Sequence, residues 1–371
     1  VKLTFLRPLY QDAGGFASVY LDTSGSGRGP QARAVDIRWR DLRKELSRAG
    51  ADAATLDALG EVLTGPGLTA PGMAAFGQGG TVPLAVRLPA VPLREMARWA
   101  RLPDLLPLLV QSPPRPPHLL VSATRAGGQV LAVRDADDVT KEAVEGTGWP
   151  VHKVKSGGSA QLEHQRSAEE AWEINAKELA DAVVNAAAGA VPEAIIVAGD
   201  IRARALLVSK LPASLASKAV IVDREVAVDS EDLAAAAEQA LRDLEDADTR
   251  RRLETFRNQL GAGGATEGLA ETVAALRDGQ VAELFLGGDY LADDPDTPGP
   301  AWSSAPAWIG PTLADVAVSE QELRDRGLTD VARDHADAAI VRAATGTDAE
   351  LFMMPAGEAP LRDDIGALLR Y

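Results

Sequence analysis

The sequence predicts an α/β protein of three domains in series, and three observations carry that reading. Its 371 residues exceed one ordinary domain. Runs with strand character alternate with amphipathic helical runs along most of the chain, the pattern of sheets packed against helices. Two stretches punctuate that alternation: the proline-rich "QSPPRPP" at 111–117 and the glycine-rich "GAGGATEG" at 261–268. Proline removes backbone donors and favours extended geometry, so 113–117 is expected to be a linker. The expected boundaries are then 1–112, 118–260 and 261–371.

In the first domain "FASVYLDTS" (16–24) reads as a strand and "AVDIRWRDLRKELSRAG" (34–50) as an amphipathic helix ended by Gly50. The "GSGRGP" between them superficially resembles a dinucleotide-binding turn. Its spacing is wrong and a proline follows, so a surface loop is expected. After the linker, "HLLVSATRAGGQVLAVRD" (118–135) reads as two strands about a tight turn at Ala126–Gly128. The polar, glycine-rich "GTGWPVHKVKSGGSAQLEHQR" (146–166) follows. Ser167 as N-cap and Glu170 three residues on form a capping box. Trp172, Ala176, Leu179, Ala180, Val183 and Val184 then fall on one helical face, and Gly189 with Pro192 stops the helix. "EAIIVAGD" is a buried-type strand, Asp200 is placed to cap "IRARALLVSKL", and "KAVIVD" adds a strand, so a mostly parallel sheet is expected. A charged helix from about 229 to 260 has the length of an inter-domain strut. In the last domain "GLAETVAALRDGQVAELFLGG" and "DHADAAIVRAATGTDAELFMMP" each read as helix, glycine, strand, and "GALLRY" closes the chain.

Composition narrows function. No apolar run nears the roughly 20 residues of a membrane span, no signal peptide opens the chain, and a cytoplasmic address without membrane contact is expected. The absence of cysteine excludes disulfides and thiolate metal sites. A formal charge of −16 argues against non-specific coating of nucleic acid, yet "PVHKVKSGG" and "DIRARALLVSK" are locally basic. His152 and His164 flank the Gly-Gly pair as candidate bases or, more simply, as polar contacts. Neither has a partner at metal-ligand spacing, and His118 and His335 lie far off in sequence, so neither metal nor cofactor is expected. Arg202 and Arg204 at a helix start offer an anion site, or they pair with nearby acids.

The order of parts beyond Pro117 resembles the archaeal and eukaryotic peptide-chain release factors and Pelota. The resemblance rests on the hairpin, the Gly-Gly loop, the long helix, "IIVAGD", the "GLAETVAALRDGQVAELFLGG" segment and the terminal "GALLRY". Within that superfamily the chain is most similar to Balon-type ribosome hibernation factors and their actinobacterial kin. The resemblance implies a middle domain of RNase H-like or Rossmann-like fold with a projecting Gly-Gly loop, and a small Pelota-like α/β domain at the C-terminus. The family loop reads Gly-Gly-Gln, then Ser-Ala-Leu-Arg-Phe-Ala-Arg. Gly157, Gly158, Leu162 and Arg166 match it, whereas Ser159 replaces the glutamine and Glu163 an arginine.

Hydrolysis of peptidyl-tRNA needs glycines so that backbone approaches RNA closely, and a glutamine that helps position water. This chain keeps the first and lacks the second; Gln161 and Gln165 stand at the wrong offset. The literal Gly-Gly-Gln at Gly127, Gly128 and Gln129 lies between two strands, where glycines serve a hairpin turn. The resemblance therefore implies a non-catalytic factor that occupies the acceptor site of the 70S ribosome and blocks translation in hibernation or stress. Its loop reaches the peptidyl-transferase centre, and elongation factor Tu is a possible partner. The expected RNA-contacting residues are His152, Lys153, Lys155, Gly157, Gly158, Ser159, Gln161, His164 and Arg166, with no catalytic residue among them. Two rivals stand: a peptidyl-tRNA hydrolase or rescue factor using Ser159, and an interaction scaffold away from the ribosome.

Overall fold

The computed structural model describes residues 2–11, 14–24, 30–65, 68, 70–111, 116–134, 139–145, 159–223, 231–288, 300, 302–354 and 361–371. It divides into two compact units. One comprises Val1–Pro113 with Arg251–Tyr371; the other is Pro114–Arg250. The sequence punctuation draws its boundaries at 112 and 260, whereas compactness draws them at 113 and 250. The first and last stretches each keep sheets of their own.

The first stretch opens with a 3-10 turn, Thr4–Tyr10, and then runs β1 (Phe16–Asp22), α1 (Pro30–Ala49), α2 (Ala53–Leu63), β2 (Gly72–Gln78), β3 (Thr81–Leu88), β4 (Met96–Ala100) and α3 (Leu106–Gln111). Its antiparallel sheet has the order β3-β2-β1-β4. Gly50 ends α1 with a positive φ of 105°, open to glycine at little cost. The Asp52 carboxylate caps α2 by accepting from Thr55 N at 2.8 Å. Alternation along β1 divides its side chains between two cores. Ala17, Val19 and Leu21 pack with Trp39, Leu46, Leu59 and Leu63 of α1 and α2. Phe16 and Tyr20 turn the other way, into a core shared with the last stretch. The "GSGRGP" glycines (25–29) lie outside the described residues.

The second unit runs β5 (His118–Thr124), β6 (Gly127–Val133), β7 (Val139–Glu145), α4 (Ser159–Ala190), β8 (Ala194–Gly199), α5 (Ile201–Lys210), α6 (Ala213–Ala216), β9 (Ala219–Ile221) and the beginning of α7 (Glu231–Ala262). The sheet order is β7-β6-β5-β8-β9. β5, β8 and β9 are parallel, but β6 and β7 are antiparallel to their neighbours, so the sheet is mixed rather than mostly parallel. The hairpin and meander at its start supply the antiparallel half, since a two-residue turn can join only antiparallel strands. One face is covered by α4 and α5, through Leu179, Val183 and Leu207 against Leu119, Val121, Val130, Ile195 and Val197. The other is covered by α7, through Leu233, Ala237 and Leu241 against Leu120, Ile196 and Ala198. Each fully buried leucine, valine or isoleucine among these contributes roughly 1.5–3 kcal/mol. Strand order and covered faces match the RNase H-like expectation.

The last stretch continues from the end of α7 through β10 (Ala265–Glu267), α8 (Leu269–Arg277), β11 (Val281–Leu286), β12 (Pro306–Ile309), β13 (Val316–Ala317), α9 (Glu320–Asp325), β14 (Ala332–His335), α10 (Ala336–Thr347), β15 (Glu350–Met353) and β16 (Ile365–Leu369). One sheet has the order β10-β16-β11-β15, with β11 and β15 parallel and the "GALLRY" strand β16 antiparallel beside β11. A second is the antiparallel β13-β12-β14. Leu253 and Phe256 near the end of α7 pack on Phe285, with the Phe256 and Phe285 rings 4.8 Å apart. Gly279 turns α8 into β11 with φ 68°, as the helix–glycine–strand reading requires. After α10 the left-handed position is instead Asp348, φ 54°; Gly346 lies inside the helix, where a Cβ would come within 2.4 Å of Leu313.

Candidate functional site

The candidate site lies at the start of α4. The sequence places the helix start at Ser167, but α4 begins eight residues earlier, at Ser159. The intervening Ala, Gln, Leu, Glu and Arg residues are good helix formers, so the helix runs through the capping-box pattern. Ser159 is thus the first helical residue, and Gln161, His164 and Arg166 occupy its first two turns. His152, Lys153, Lys155, Gly157 and Gly158 lie outside the described residues. The Gly-Gly pair immediately precedes, in sequence, a helix of 32 residues.

What holds that helix is well defined. Asn175 Nδ2 donates to the Arg125 carbonyl at 2.9 Å, tying α4 to the β5–β6 turn. The Arg125 guanidinium stacks over the Trp172 ring, 4.8 Å from its centroid. The same guanidinium donates through Nε and Nη2 to Asp200 Oδ2 at 3.0 and 2.9 Å. Asp200 Oδ1 accepts from Arg202 N and Ala203 N, capping α5. Burial alone would raise the Asp200 carboxyl; its bonds from Ala203 N, Arg125 and Arg202 N together hold it below the usual range. Farther along, Leu179 lies against Gly128, where a Cβ would meet Leu179 at 2.6 Å and the Ser122 carbonyl oxygen at 2.4 Å. Gly127, Gly128 and Gln129 therefore belong to β6 of the hairpin, and Gly128 serves close packing of α4 rather than chemistry.

Arg125 joins β5–β6, α4 and α5 at one point, and its stacking partner Trp172 lies six residues after Arg166 in α4. Arg125→Ala is expected to destabilise this unit by about 1 kcal/mol, the sum of a half-exposed ion pair and a stacked cation. It should also speed amide exchange in the first turns of α4 and leave β5 and β8 protected. Exchange mass spectrometry reads both, and equal exchange in α4 for mutant and wild type would remove the clamp. Arg125→Lys should recover little, because an ammonium neither stacks nor forks in the same way.

The α5 start is not open to an outside anion, because Asp200 itself fills it. Arg204 is buried, bonded to the Val222 carbonyl and paired with Asp223 at 2.7 Å. The pairing alternative therefore holds for Arg204. His118 is buried with Nδ1 3.0 Å from the Pro116 carbonyl oxygen, and His335 belongs to the other unit. No helix among the described residues is long and apolar enough to cross a membrane. Sequence reading missed Arg125, because a lone arginine in a tight turn carries no local mark of the three elements it joins.

Comparison with known proteins adds the lineage. Residues 117–262 match the family model "Bacterial archaeo-eukaryotic release factor family 2". The chain is 31% identical over 384 residues to "Uncharacterized protein Rv2629" of Mycobacterium tuberculosis (strain ATCC 25618 / H37Rv), covering 99% of this chain and 96% of the relative. The same figures hold for "Uncharacterized protein MT2704" of strain CDC 1551 / Oshkosh. Among solved structures, archaeal translation termination factor aRF1 aligns at 16% identity and TM-score 0.26, over 99% of this chain and 96% of that one. Pelota of Archaeoglobus fulgidus aligns at 14% and 0.31, over 81% and 79%. The matched family segment holds the whole β5–β9 sheet, α4, α5 and α7, together with the Gly157–Gly158 pair. The chain belongs to one family with these two Mycobacterium tuberculosis proteins, and its residues 117–262 are a bacterial archaeo-eukaryotic release factor family 2 segment.

Proposed function

We propose that this protein binds the ribosome and occupies its acceptor site, blocking translation in hibernation or stress, and that the segment ahead of α4 reaches the peptidyl-transferase centre without catalysing release. One observation carries the reading. The family segment retains Gly157 and Gly158 at the foot of a clamped 32-residue helix, but the next residue is Ser159, where release requires glutamine. A loop that keeps its glycines keeps the close approach of backbone to RNA. Ser159 lacks an evident pairing of general base with orienting acid that would make it a nucleophile, and in this reading His152 and His164 are polar contacts. His152, Lys153, Lys155 and Arg166 supply the donors for phosphate, with Gln161 and His164 beside them. Elongation factor Tu is the GTPase partner this reading allows.

The test is sedimentation with vacant 70S ribosomes. Wild type is expected to pellet with them, to be competed by acceptor-site tRNA and to weaken steeply with salt. Replacing Gly157 and Gly158 by tryptophan should weaken binding at least about tenfold, or 1.4 kcal/mol. No pelleting, even with elongation factor Tu and GTP, would overturn the ribosomal reading in favour of a scaffold. Stalled ribosomes carrying labelled peptide should release none above background. Release that Ser159→Ala abolishes would replace this reading with a peptidyl-tRNA hydrolase.

A further inference from the structure

The unit formed by the two ends of the chain contains a buried charge cluster that does not balance. Arg98 on β4 is its one enclosed cation, with a side chain 17% exposed. Its Nη2 donates to Asp334 Oδ1 at 2.6 Å and its Nη1 to Asp104 Oδ2 at a longer 3.3 Å. Asp334, on β14, is fully satisfied: Oδ1 also accepts from His335 N at 2.8 Å, and Oδ2 from Leu102 N at 3.0 Å. Asp104 is not, for its Oδ1 is buried with no partner. A third carboxyl, Asp337 in the first turn of α10, accepts from Ala338 N at 2.6 Å. Two carboxyls thus remain for whatever share of Arg98 the third leaves, in an interior that penalises uncompensated charge.

We propose that the contact of β4 and the segment after it with β14 and α10 is a proton-linked joint, in which the Asp104–Asp337 pair keeps one proton and loosens on losing it. The charged and titratable groups that act electrostatically on the pair or its neighbours are Tyr20 from β1, Arg98 from β4, and Asp334, His335 and the exposed Arg333 from β14. Tyr20 cannot supply the missing donor: its hydroxyl gives its proton to the Asp104 carbonyl at 2.7 Å. An open hollow of about 340 Å³, lined by Arg98, Trp99, Asp334 and His335 among others, lets solvent protons reach the cluster.

Burial, and then the charge of Asp104, push the Asp337 carboxyl up from 3.8 to about 7. The sign follows. Below about pH 4 the group is protonated folded and unfolded, and its contribution is at its most favourable. As pH rises from there the unfolded chain releases the proton and the folded one retains it, so stability falls until the folded group ionises near pH 7. His335 acts oppositely, since burial and Arg98 lower its pKa and its protonation in acid weakens the fold.

The test is urea unfolding of the full chain between pH 5 and 8, followed by amide exchange in peptides spanning 332–347. The unfolding constant of wild type is expected to rise by up to about tenfold per pH unit between pH 5 and 7 relative to Asp337→Asn, a comparison in which His335 cancels. Equal slopes for the two proteins would overturn the proposal. Carboxyl carbon resonances of wild type labelled at aspartate give an independent reading. A midpoint near 7 that vanishes in Asp337→Asn is expected, and none above 5 in the protein would sink the joint even if the variant misfolds.

Discussion

Gly199→Ala is expected to cost about 4 kcal/mol or more and to unfold the 114–250 unit, among the largest effects of any single methyl group in the chain. Gly199 ends β8 with φ 113°, a backbone conformation that side chains rarely adopt. It is paired with Ala123 on the parallel neighbour β5, and a Cβ built on it would lie 2.0 Å from the Ala123 carbonyl oxygen and 2.8 Å from that residue's N and C. No rotamer relieves a clash between Cβ and backbone; the two central strands must separate. That separation also removes the bond from Asp200 N to the Ala123 oxygen, which sets Asp200 to cap α5 and hold Arg125. Chemical denaturation compared with Gly261→Ala measures it. Gly261 lies in α7 with open space around its Cβ position, so alanine there should stabilise slightly, by up to about 1 kcal/mol. A Gly199→Ala protein within 1 kcal/mol of wild type would mean that β5 and β8 pack less closely than described.

The contrast between these glycines shows which features local sequence encodes. "IIVAGD" reads correctly as a buried strand and a helix cap, because apolar runs and Asp before a helix are local signals. The role of Gly199 depends on a neighbour 76 residues earlier, and nothing within the hexapeptide reports it. The hairpin at 118–133, the apolar face of α4 and the helix–glycine–strand turn at Gly279 are legible for the same local reason. Ser167 and Glu170 meet the capping rule in letters, yet the helix formers ahead of them carry α4 back to Ser159. β7 (Val139–Glu145), which pairs antiparallel with β6, escapes an argument from alternation, since no helix intervenes between them and its charged sequence carries no buried-strand pattern. At the candidate site the Gly-Gly pair is visible as a motif. The clamp behind it joins Arg125, Trp172 and Asp200, which are spread over 75 residues and meet only in the fold.

Arg98→Met is the second large effect, expected to cost about 3–5 kcal/mol at pH 8, and it arises from a pair that is likewise absent from local sequence. Arg98 and Asp334 are 236 residues apart. Methionine fills much of the stem volume of arginine, so the loss is chiefly electrostatic: Asp334, 4% exposed in its side chain, and Asp104, 7% exposed, are left with no enclosed cation. Both carboxyls must then either remain charged at high cost or take up protons. The defect should therefore shrink as pH falls toward 5, opposite to the behaviour of a variant that merely lost packing. Restoring neutrality by mutation should act like acid. Arg98→Met with Asp334→Asn is expected to be more stable than the sum of the single losses allows, with a coupling of about 1–3 kcal/mol measured by a double-mutant cycle. Additive losses that ignore pH would show that the two ends of the chain are held by their shared apolar core around Phe16, Tyr20 and Ile340 alone. A pH-dependent, non-additive loss shows instead that the charge cluster, and the proton it retains, decides how firmly those ends are joined.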